Sequence, residues 1–223
     1  MEEMNMRKRI RLLLATALMA VCLVGCGSAQ KSNTTDTTGA QETATESATE
    51  GQEEVELLSG THKVEIEVQD YGTIKLDLDA DTAPITVTNF VKLAKEGFYD
   101  GLTFHRIING FMIQGGDPNG DGTGGAEQTI KGEFSNNGVE NAISHKRGVI
   151  SMARAMDYDG ASSQFFIVQT DATYLDGDYA AFGEVTEGMK IVDKICKETP
   201  VTDGNGTTEK KDQPVITTIR VVE

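Results

Sequence analysis

Residues 104–117 read Phe104-His105-Arg106-Ile107-Ile108-Asn109-Gly110-Phe111-Met112-Ile113-Gln114-Gly115-Gly116-Asp117. Asn109-Gly110 is a strong signal for a tight turn, and apolar residues alternate with polar ones on both sides of it, so we predict a β-hairpin. Within nine residues this hairpin carries a cation at Arg106, an amide at Gln114 and two large apolar side chains. Such a set could hold an apolar ring while hydrogen-bonding the backbone beside it. An ordinary buried hairpin with a surface arginine is the alternative.

The first 25 residues have the pattern of an export signal. Four basic residues between positions 7 and 11 precede an apolar run from Leu12 to Leu23, which has the length of a signal-peptide core and is too short for a comfortable bilayer crossing. The run ends in Leu23-Val24-Gly25-Cys26, which resembles the lipobox of bacterial lipoproteins. The resemblance implies cleavage before Cys26 and a diacylglyceryl group on that residue. A plain secretory signal or an uncleaved anchor is the alternative.

Residues 26–60 lack the composition of a folded domain. From Gly27 to about Ser59 the chain consists mainly of Ser, Thr, Gln, Ala and Glu, with no aromatic residue. Such a segment cannot bury enough apolar surface to offset the entropy of ordering it. We therefore predict a disordered tether between the lipidated cysteine and the domain.

The net charge excludes two classes of partner. Loss of residues 1–25 removes four basic and two acidic groups, which takes the formal charge from −15 to about −17. A chain this acidic has no electrostatic footprint for nucleic acid or anionic lipid. Membrane attachment would therefore depend on the lipid, and we expect a lipid-anchored protein on the extracytoplasmic side of a bacterial cell membrane.

The cysteines make both disulfides and metal sites improbable. With Cys22 inside the signal and Cys26 lipidated, Cys196 is left alone in the mature chain, so no intramolecular disulfide can form. The chain has neither a CxxC motif nor a Cys/His cluster, which argues against a structural zinc site. We expect no metal and no cofactor.

Residues 61–223 form the predicted domain, which is long enough for one substantial core. Period-two alternation predicts a hairpin over residues 64–78 and a last strand over 215–222, and short apolar runs at 148–154, 164–168 and 181–185 have strand character. Helical spacing predicts one helix from Pro84 to about Gly97 and a second from 187 to 197. Many short strands with two helices indicate a mostly antiparallel barrel, although these patterns alone do not separate a barrel from a sandwich.

A calcium-binding pattern in the middle of the domain is incomplete. Residues 117–122 read Asp-Pro-Asn-Gly-Asp-Gly and copy the first half of an EF-hand loop. The twelfth position, where that loop needs a bidentate carboxylate, is Gln128, and no flanking helices are predicted. We therefore interpret residues 115–125, which are rich in Gly and Asn, as an irregular turn-rich loop.

Three stretches of the chain together resemble the cyclophilin-type peptidyl-prolyl cis-trans isomerases. They are the hairpin of residues 104–117, the segment Gly148-Val149-Ile150-Ser151-Met152-Ala153, and the segment from Ser162-Ser163-Gln164-Phe165-Phe166-Ile167 through Leu175-Asp176-Gly177 to Phe182-Gly183. They occur in the family's order and span most of residues 62–222. The resemblance implies a closed eight-stranded antiparallel barrel capped by two α-helices.

The resemblance also assigns roles to individual residues. Arg106 matches the catalytic arginine, which would stabilise the twisted amide of an X–Pro bond without covalent chemistry. The substrate-binding residues that it implies are Phe111, Met112, Gln114, Ala153, Arg154, Ala155, Gln164, Phe166, Tyr174, Leu175 and Tyr179. The expected partners are proline-containing segments of exported proteins, and nothing in the sequence indicates more than a monomer.

At three positions this chain departs from many cytosolic eukaryotic members of the family. Arg154 replaces an asparagine, Tyr174 a tryptophan and Tyr179 a histidine. Bacterial-type members often show the first and last of these changes, so they do not imply loss of activity. Tyr174 removes an indole N–H from the rim of the binding site, which argues against tight cyclosporin binding.

Other interpretations of the same residues remain. A module that binds proline peptides or scaffolds an envelope complex without catalysis is the alternative function, but such a binder has no need of a cation aimed at the prolyl nitrogen. His105 invites an acid–base role, yet adjacent strand residues point to opposite faces, so we predict a structural histidine. Ser162-Ser163 has no readable His and Asp partners, which argues against a serine nucleophile.

Lipidation gives the first testable prediction. We expect mass spectrometry of the mature N-terminus to find a chain that begins at Cys26 and carries a diacylglyceryl group. A Cys26→Ala variant should lose that modification and the membrane fraction together. An unmodified Cys26, or a mature chain that starts elsewhere, would contradict the lipoprotein assignment.

Overall fold

The computed structural model describes residues 56–222. The predicted signal at 1–25 and residues 26–55 of the predicted tether lie outside the described residues. The described part contains eight strands and two α-helices. In chain order they are β1 (Thr61–Val68), β2 (Gly72–Asp79), α1 (Pro84–Lys95), β3 (Thr103–Ile108), β4 (Met112–Asp117), β5 (Val149–Arg154), β6 (Ala161–Val168), β7 (Ala181–Glu187), α2 (Met189–Glu198) and β8 (Ile216–Val222).

The strands form a single antiparallel sheet in the order β3-β4-β6-β5-β7-β2-β1-β8. The predicted mostly β architecture with two helices is thus confirmed. The hairpin of residues 104–117 is β3 and β4, and its Ile108 pairs with Met112 across the Asn109-Gly110 turn. Gly110 has φ +86° there, a conformation that glycine adopts without steric cost.

The sheet does not close as we predicted. Its two edge strands, β3 and β8, are joined within the described residues by an isolated bridge between Thr103 and Val215 and by a few backbone hydrogen bonds near it. The rest of the β3 edge is occupied by the connection between α2 and β8, since Ile107 N–H donates to the carbonyl oxygen of Gly206 (2.8 Å). The expectation of a closed barrel is therefore wrong. The sheet is open and curled, and a loop covers the free edge of β3.

The hydrophobic core lies on one face of the sheet and is centred on Phe90 of α1. The ring of Phe90 lies 5.1 to 5.4 Å, centroid to centroid, from Tyr99, Phe165 and Phe182. All four residues are fully buried, and aromatic pairs at such distances contribute about 0.5–1.5 kcal/mol each beyond their buried area. One helix residue therefore ties β6 and β7 to the segment that leads into β3.

The N-terminus of α1 depends on a residue that is distant in sequence. Its N-cap residue, Ala83, offers no side-chain acceptor. Instead the carboxylate of Glu133 accepts hydrogen bonds from the backbone N–H groups of Ile85 (3.0 Å) and Thr86 (2.8 Å). Glu133 is only 2% exposed, so its charge acts on the positive end of the helix with little screening by water. The loop around residue 133 is thereby fixed to the helix.

Removal of the Glu133 carboxylate should destabilise the domain. We expect Glu133→Ala to lower the free energy of unfolding by about 3 kcal/mol, because two helix N–H groups lose their acceptor in a buried place. Urea unfolding followed by circular dichroism measures the change. Glu140→Ala, at an exposed glutamate of the same loop region, is the control and should change stability by less than about 0.5 kcal/mol. Equal effects of the two substitutions would contradict the capping role.

Candidate active site

The site lies on the face of the sheet opposite the core. Neighbouring residues of a strand point to opposite faces, and β6 has apolar residues for both: Phe165 belongs to the core, whereas Phe166 belongs to a second apolar cluster with Met112 of β4. Met112 and Phe166 are 1% and 5% exposed. They form the floor of a depression that we call the apolar cleft.

The apolar cleft has a volume of about 370 Å³. It brings together ten of the residues singled out in the sequence: Arg106, Phe111, Met112, Gln114, Ala153, Arg154, Phe166, Tyr174, Leu175 and Tyr179. The other two, Ala155 and Gln164, line an adjoining depression of about 320 Å³ formed with residues 122–126. We call this second depression the glycine groove. All twelve residues therefore lie in one continuous region, and their roles remain predictions.

Phe166 packs against a buried histidine that the sequence analysis missed. The imidazole of His145 stacks on its ring at 6.0 Å and 15°. One ring nitrogen of His145 lies 2.8 Å from the carboxylate of Asp176 and the other lies 2.9 Å from the hydroxyl of Ser151. Burial lowers the pKa of His145, and Asp176 only partly opposes this, so the neutral imidazole is favoured.

This Ser151–His145–Asp176 arrangement resembles a hydrolytic triad but cannot act as one. Ser151 is fully buried, so no substrate carbonyl can reach its hydroxyl. Ser163, one of the two serines considered from the sequence, is also fully buried and donates to the carbonyl oxygen of Gly116 (2.8 Å). The geometry therefore argues against acyl transfer at either residue. The three residues support Phe166 and thereby the floor of the cleft.

Arg106 lies at the rim of the cleft and is fixed on two sides. It pairs with Gln114 across the β3–β4 ladder, and its Nη1 donates to the Gln114 side-chain oxygen (3.0 Å). The Gln114 side-chain nitrogen donates to Gln164 (2.9 Å), whose own nitrogen donates to the carbonyl oxygen of Gly124 (2.7 Å). This row of amides connects the guanidinium to the glycine groove.

The second support of Arg106 comes from the loop that covers the β3 edge, residues 203–207. Arg106 Nε donates to the carbonyl oxygen of Asn205 (2.9 Å). Asp203 shapes this loop, because its carboxylate accepts from the backbone N–H groups of Asn205 (2.9 Å) and Thr207 (3.1 Å). Gly206 has φ +82°, and a Cβ there would collide with the carbonyl oxygen of Ile107. Only glycine lets the loop come this close to β3.

Arg154 is surrounded by aromatic rings. Its guanidinium carbon lies 5.3, 4.9 and 4.8 Å from the ring centroids of Phe134, Tyr158 and Tyr179, distances at which a cation is attracted to the ring face. Its Nε donates to the carbonyl oxygen of Asp178 (2.9 Å). The arginine and Tyr179, two of the departures from the eukaryotic pattern, are thus in contact with each other. Tyr174, the third, is 70% exposed.

The loop with the incomplete calcium pattern is organised by Asp117. This residue is 1% exposed, and its carboxylate accepts from the backbone N–H groups of Asn119 (2.8 Å), Asp121 (3.0 Å) and Gly122 (2.6 Å). Burial alone would raise the pKa of Asp117, but these donors outweigh it and hold the pKa below its usual range. The interpretation of residues 115–125 as a turn-rich loop is confirmed from Pro118 onward, whereas residues 115–117 belong to β4. Within residues 56–222 no group of three or more His, Cys, Asp or Glu side chains is placed to hold a metal ion.

β3 is irregular at His105, where the sequence analysis assumed strict alternation of side chains. β3 pairs Phe104 with Gly115 and Arg106 with Gln114, so His105 has no partner on β4 and forms a β-bulge, which re-aims the side chains around it. As a result His105 and Arg106 line the same depression. Strict alternation holds only in an unbulged strand, so it is not a sufficient basis for the direction of the His105 side chain. His105 is 4% exposed, which agrees with the prediction of a structural histidine.

Comparison with known proteins is consistent with this geometry. Residues 63–221 match the family model described as cyclophilin type peptidyl-prolyl cis-trans isomerase/CLD. A peptidyl-prolyl cis-trans isomerase of Helicobacter pylori is 51% identical over 126 residues, which is 56% of this chain and 74% of that protein. Peptidyl-prolyl cis-trans isomerase B of Bacillus subtilis is 49% identical over 124 residues, which is 56% of this chain and 83% of that protein.

A solved structure extends the similarity to the fold. The cyclophilin type isomerase of Cryptosporidium parvum, crystallised in the presence of the dipeptide Ala-Pro, superposes with a TM-score of 0.64 at 30% identity. The match covers 72% of this chain and 99% of that one. In the part of the chain that the structure describes, no helix is long and apolar enough to cross a membrane.

The loop of residues 203–207 yields a prediction about positioning. Asp203→Ala should release Asn205 and with it one support of Arg106. We expect the acceleration of cis–trans exchange in an Ala-Pro peptide to fall about tenfold, since small displacements of a reacting group have large effects on rate. NMR exchange spectroscopy measures the rate. Asp100→Ala, at an exposed aspartate after α1, is the control.

A general loss of stability would lower activity for a different reason, so the melting temperature of both variants is measured beside the rate. Wild-type exchange rates in a folded Asp203→Ala variant would show that the loop does not position Arg106.

Proposed function

The chain belongs to the cyclophilin-type family and is a peptidyl-prolyl cis-trans isomerase, and on that premise we propose that Arg106 is its catalytic residue and the apolar cleft its proline site. The observation that carries the proposal is the guanidinium of Arg106, which is fixed by Gln114 and Asn205 at the rim of an apolar depression. A prolyl ring needs an apolar floor, and the amide beside it needs a hydrogen-bond donor. Here the two lie side by side.

The reaction requires no covalent step. An X–Pro amide resists rotation by about 18–20 kcal/mol because resonance gives its C–N bond partial double-bond character, and uncatalysed exchange takes tens to hundreds of seconds. In the twisted state that resonance is lost and the prolyl nitrogen regains its lone pair. A donor placed at that nitrogen stabilises the twisted state more than either planar state, which is the condition for catalysis.

Arg106 fits this task for two reasons. Its charge is permanent, and its planar fork keeps N–H groups for a substrate after Nε and Nη1 have bonded to Asn205 and Gln114. Both supports hold the guanidinium before substrate arrives, so little reorganisation is needed during reaction. Nη1 and Nη2 are the groups that we assign to the prolyl nitrogen and carbonyl.

The remaining residues confine the motion to one bond. We assign the proline ring to Met112, Phe166 and Leu175, and the flanking peptide to Gln114 and the backbone of residues 153–155. With the ring and one flank held, rotation is restricted to the X–Pro bond itself. Arg154 and Tyr179 form the opposite rim and contribute to sequence preference.

The cellular setting follows from the N-terminal sequence. A lipid on Cys26 and the tether of residues 26–60 would hold the domain outside the cytoplasm, within reach of proteins that emerge from export. We propose that these exported chains, with proline bonds still to be isomerised during folding, are the substrates. The acidic composition of the mature chain argues against nucleic-acid partners and agrees with polypeptide clients.

Substitution of Arg106 tests the mechanism. Arg106→Ala should reduce kcat/KM for an Ala-Pro peptide by about 10²–10³, the loss seen when one preorganised donor to a transition state is removed. Arg106→Lys should also be strongly impaired, because an ammonium lacks the planar fork. NMR exchange gives the rate, and peptide-induced shifts give the affinity.

Arg147→Ala is the matched control. This arginine is exposed and paired with Asp193 (2.7 Å), and it does not line the cleft. Its loss should leave exchange within about twofold of wild type. An Arg106→Ala variant that retains most of the wild-type rate would refute the catalytic assignment while leaving the family membership intact.

A further inference from the structure

Arg154 lies where three depressions of the surface meet. It lines the apolar cleft and the glycine groove, and it also lines a shallow third depression with Met156, Tyr158 and Asp178. The proposed function uses the backbone of residues 153–155 to hold the flanking peptide. The contacts of the Arg154 side chain indicate a separate task for the guanidinium.

The guanidinium of Arg154 turns back onto the backbone. Its Nη1 donates to the carbonyl oxygens of Ala155 (3.0 Å) and Met156 (3.3 Å) in its own loop. Its Nε donates to the carbonyl oxygen of Asp178 (2.9 Å). None of the ion pairs among residues 56–222 includes Arg154. Both nitrogens are thus occupied by backbone oxygens of two segments that border the cleft.

Three aromatic rings keep the guanidinium in this orientation. The ring centroids of Phe134, Tyr158 and Tyr179 lie 4.8 to 5.3 Å from its central carbon, and the first two rings also pack edge to face at 5.3 Å. The rings come from three different connections of the fold, which precede β5, β6 and β7. A planar guanidinium held between rings loses little freedom when it forms hydrogen bonds, so its position is set before a substrate binds.

Strand β5 is irregularly paired where it lines the cleft. Its register with β6 shifts between Met152 and Arg154, so Ala153 has no partner on that side. Its ladder with β7 covers only residues 149–151. The carbonyl groups that the guanidinium binds follow directly after this irregular pairing. The side chain of Arg154 therefore supports the backbone at the point where the two ladders cease to fix it.

The charges around Arg154 disfavour an acidic ligand. Asp157 and Asp159 lie in the same loop, and Asp178 lines the same depression. None of these three carboxylates belongs to an ion pair among the described residues. An acidic substrate side chain would thus enter a region in which carboxylates outnumber cations, and like charges repel it.

We propose that Arg154 is a positioning residue, whose guanidinium holds residues 153–156 in the shape that receives the flanking peptide and does not itself bind a substrate side chain. This inference rests on the proposed function, in which that backbone meets the peptide beside the proline. Arg106 is supported by Gln114 and Asn205 and makes no contact with this arrangement through them. We therefore expect Arg154 to control how tightly a longer peptide binds and to leave the rotation step unchanged.

Peptide kinetics with the full chain in detergent test the proposal. The substrates are a blocked Ala-Pro dipeptide and a longer peptide with three alanines on each side of Ala-Pro, of which only the longer can lie along residues 153–156. Arg154→Met keeps the stem of the side chain and removes its donors. We expect it to raise KM for the longer peptide about tenfold and to leave kcat within about twofold, since a loss confined to binding appears in KM. KM for the dipeptide should not change. NMR exchange over a range of peptide concentrations gives both constants.

Arg154→Lys separates positioning from charge. Lysine keeps the positive charge but has one ammonium in place of the planar fork, so it cannot bond to the carbonyl oxygens of both segments at once. We expect this variant also to raise KM for the longer peptide severalfold. Wild-type affinity in Arg154→Lys would show that charge is sufficient and would overturn the proposal.

Arg220→Met is the matched control. Arg220 is an exposed arginine of β8 that pairs with Glu65 (3.7 Å) and Glu67 (3.3 Å), and it lines neither the cleft nor the glycine groove. Its loss should leave KM and kcat for both peptides as in wild type. The melting temperature of every variant is measured, so that a loss of folded protein is not mistaken for a loss of affinity.

Arginine NMR gives a readout that does not depend on the variants folding. In wild-type protein labelled with ¹⁵N-arginine, the Nε–H of Arg154 should be protected from exchange with solvent before and after the longer peptide is added, because Asp178 accepts its hydrogen bond. The Nε–H of exposed Arg220 should exchange quickly in both states. Loss of protection at Arg154 on peptide binding would show that the guanidinium leaves the backbone and would overturn the proposal.

Peptides with glutamate test the competing possibility of charge recognition. Nη2 of Arg154 makes no hydrogen bond among the described residues, so a substrate carboxylate at this residue would be held there. Glutamate is compared with glutamine at each flanking position of the longer peptide, and we expect equal affinity. A preference for glutamate that disappears in Arg154→Met would refute the proposal, because the guanidinium would then bind the substrate directly.

The remaining failures are distinguishable. If a folded Arg154→Met variant lowers kcat for the dipeptide and the longer peptide equally, Arg154 acts on the reacting bond, and the positioning role is refuted while the proposed function stands. An unchanged KM for the longer peptide would refute the role as well. If the wild-type chain accelerates neither peptide, the proposed function fails. The affinities of the wild-type chain and of Arg154→Met for the longer peptide, taken from peptide-induced shifts, then still decide whether Arg154 positions the backbone.

Discussion

The β4–β6 strand pair has apolar side chains on both of its faces, and the rest of the structure depends on this constraint. On one face Phe165 packs against Phe90 and Tyr99 in the core. On the other, Met112 and Phe166 form the floor of the cleft. Because alternate residues of the same strands serve both purposes, the core and the site cannot vary independently. A shift of one residue in register would exchange the two sets.

Local sequence patterns were sufficient for most of this framework. Alternation and the Asn109-Gly110 turn gave the β3–β4 hairpin, and helical spacing between Pro84 and Gly97 gave α1. The grouping of the cleft residues came from the family resemblance, and it placed all twelve within two adjoining depressions. These successes share a cause: each pattern either acts over a few residues or is carried by a motif that the family keeps in order.

The features that the sequence did not reveal depend on contacts between distant segments. The bulge at His105 leaves the hydrophobic pattern of β3 intact, so a period of two was assumed where the strand carries an extra residue. Asp203 and Asn205 are about a hundred positions from Arg106. They lie in an irregular segment, so no helix or strand pattern in the sequence indicated that they contact Arg106. The family resemblance implied a closed barrel, but the sheet is open and this segment covers the β3 edge. His145 and Asp176 are likewise 31 residues apart and meet only in the folded chain.

The loop over the β3 edge supports Arg106, and it also protects the edge strand from pairing with other chains. An uncovered edge strand offers unpaired N–H and C=O groups to any extended chain, which can add to the sheet as a further strand. An isomerase that acts on unfolded polypeptides meets such chains continually. By hydrogen-bonding to Ile107, Gly206 takes the place that a client backbone would occupy. Extended chains are thus excluded from the β3 edge, which is the edge nearest the cleft, and left free to bind on the face of the sheet. An isomerase must release what it binds, and the covered β3 edge removes a surface on which release would be slow.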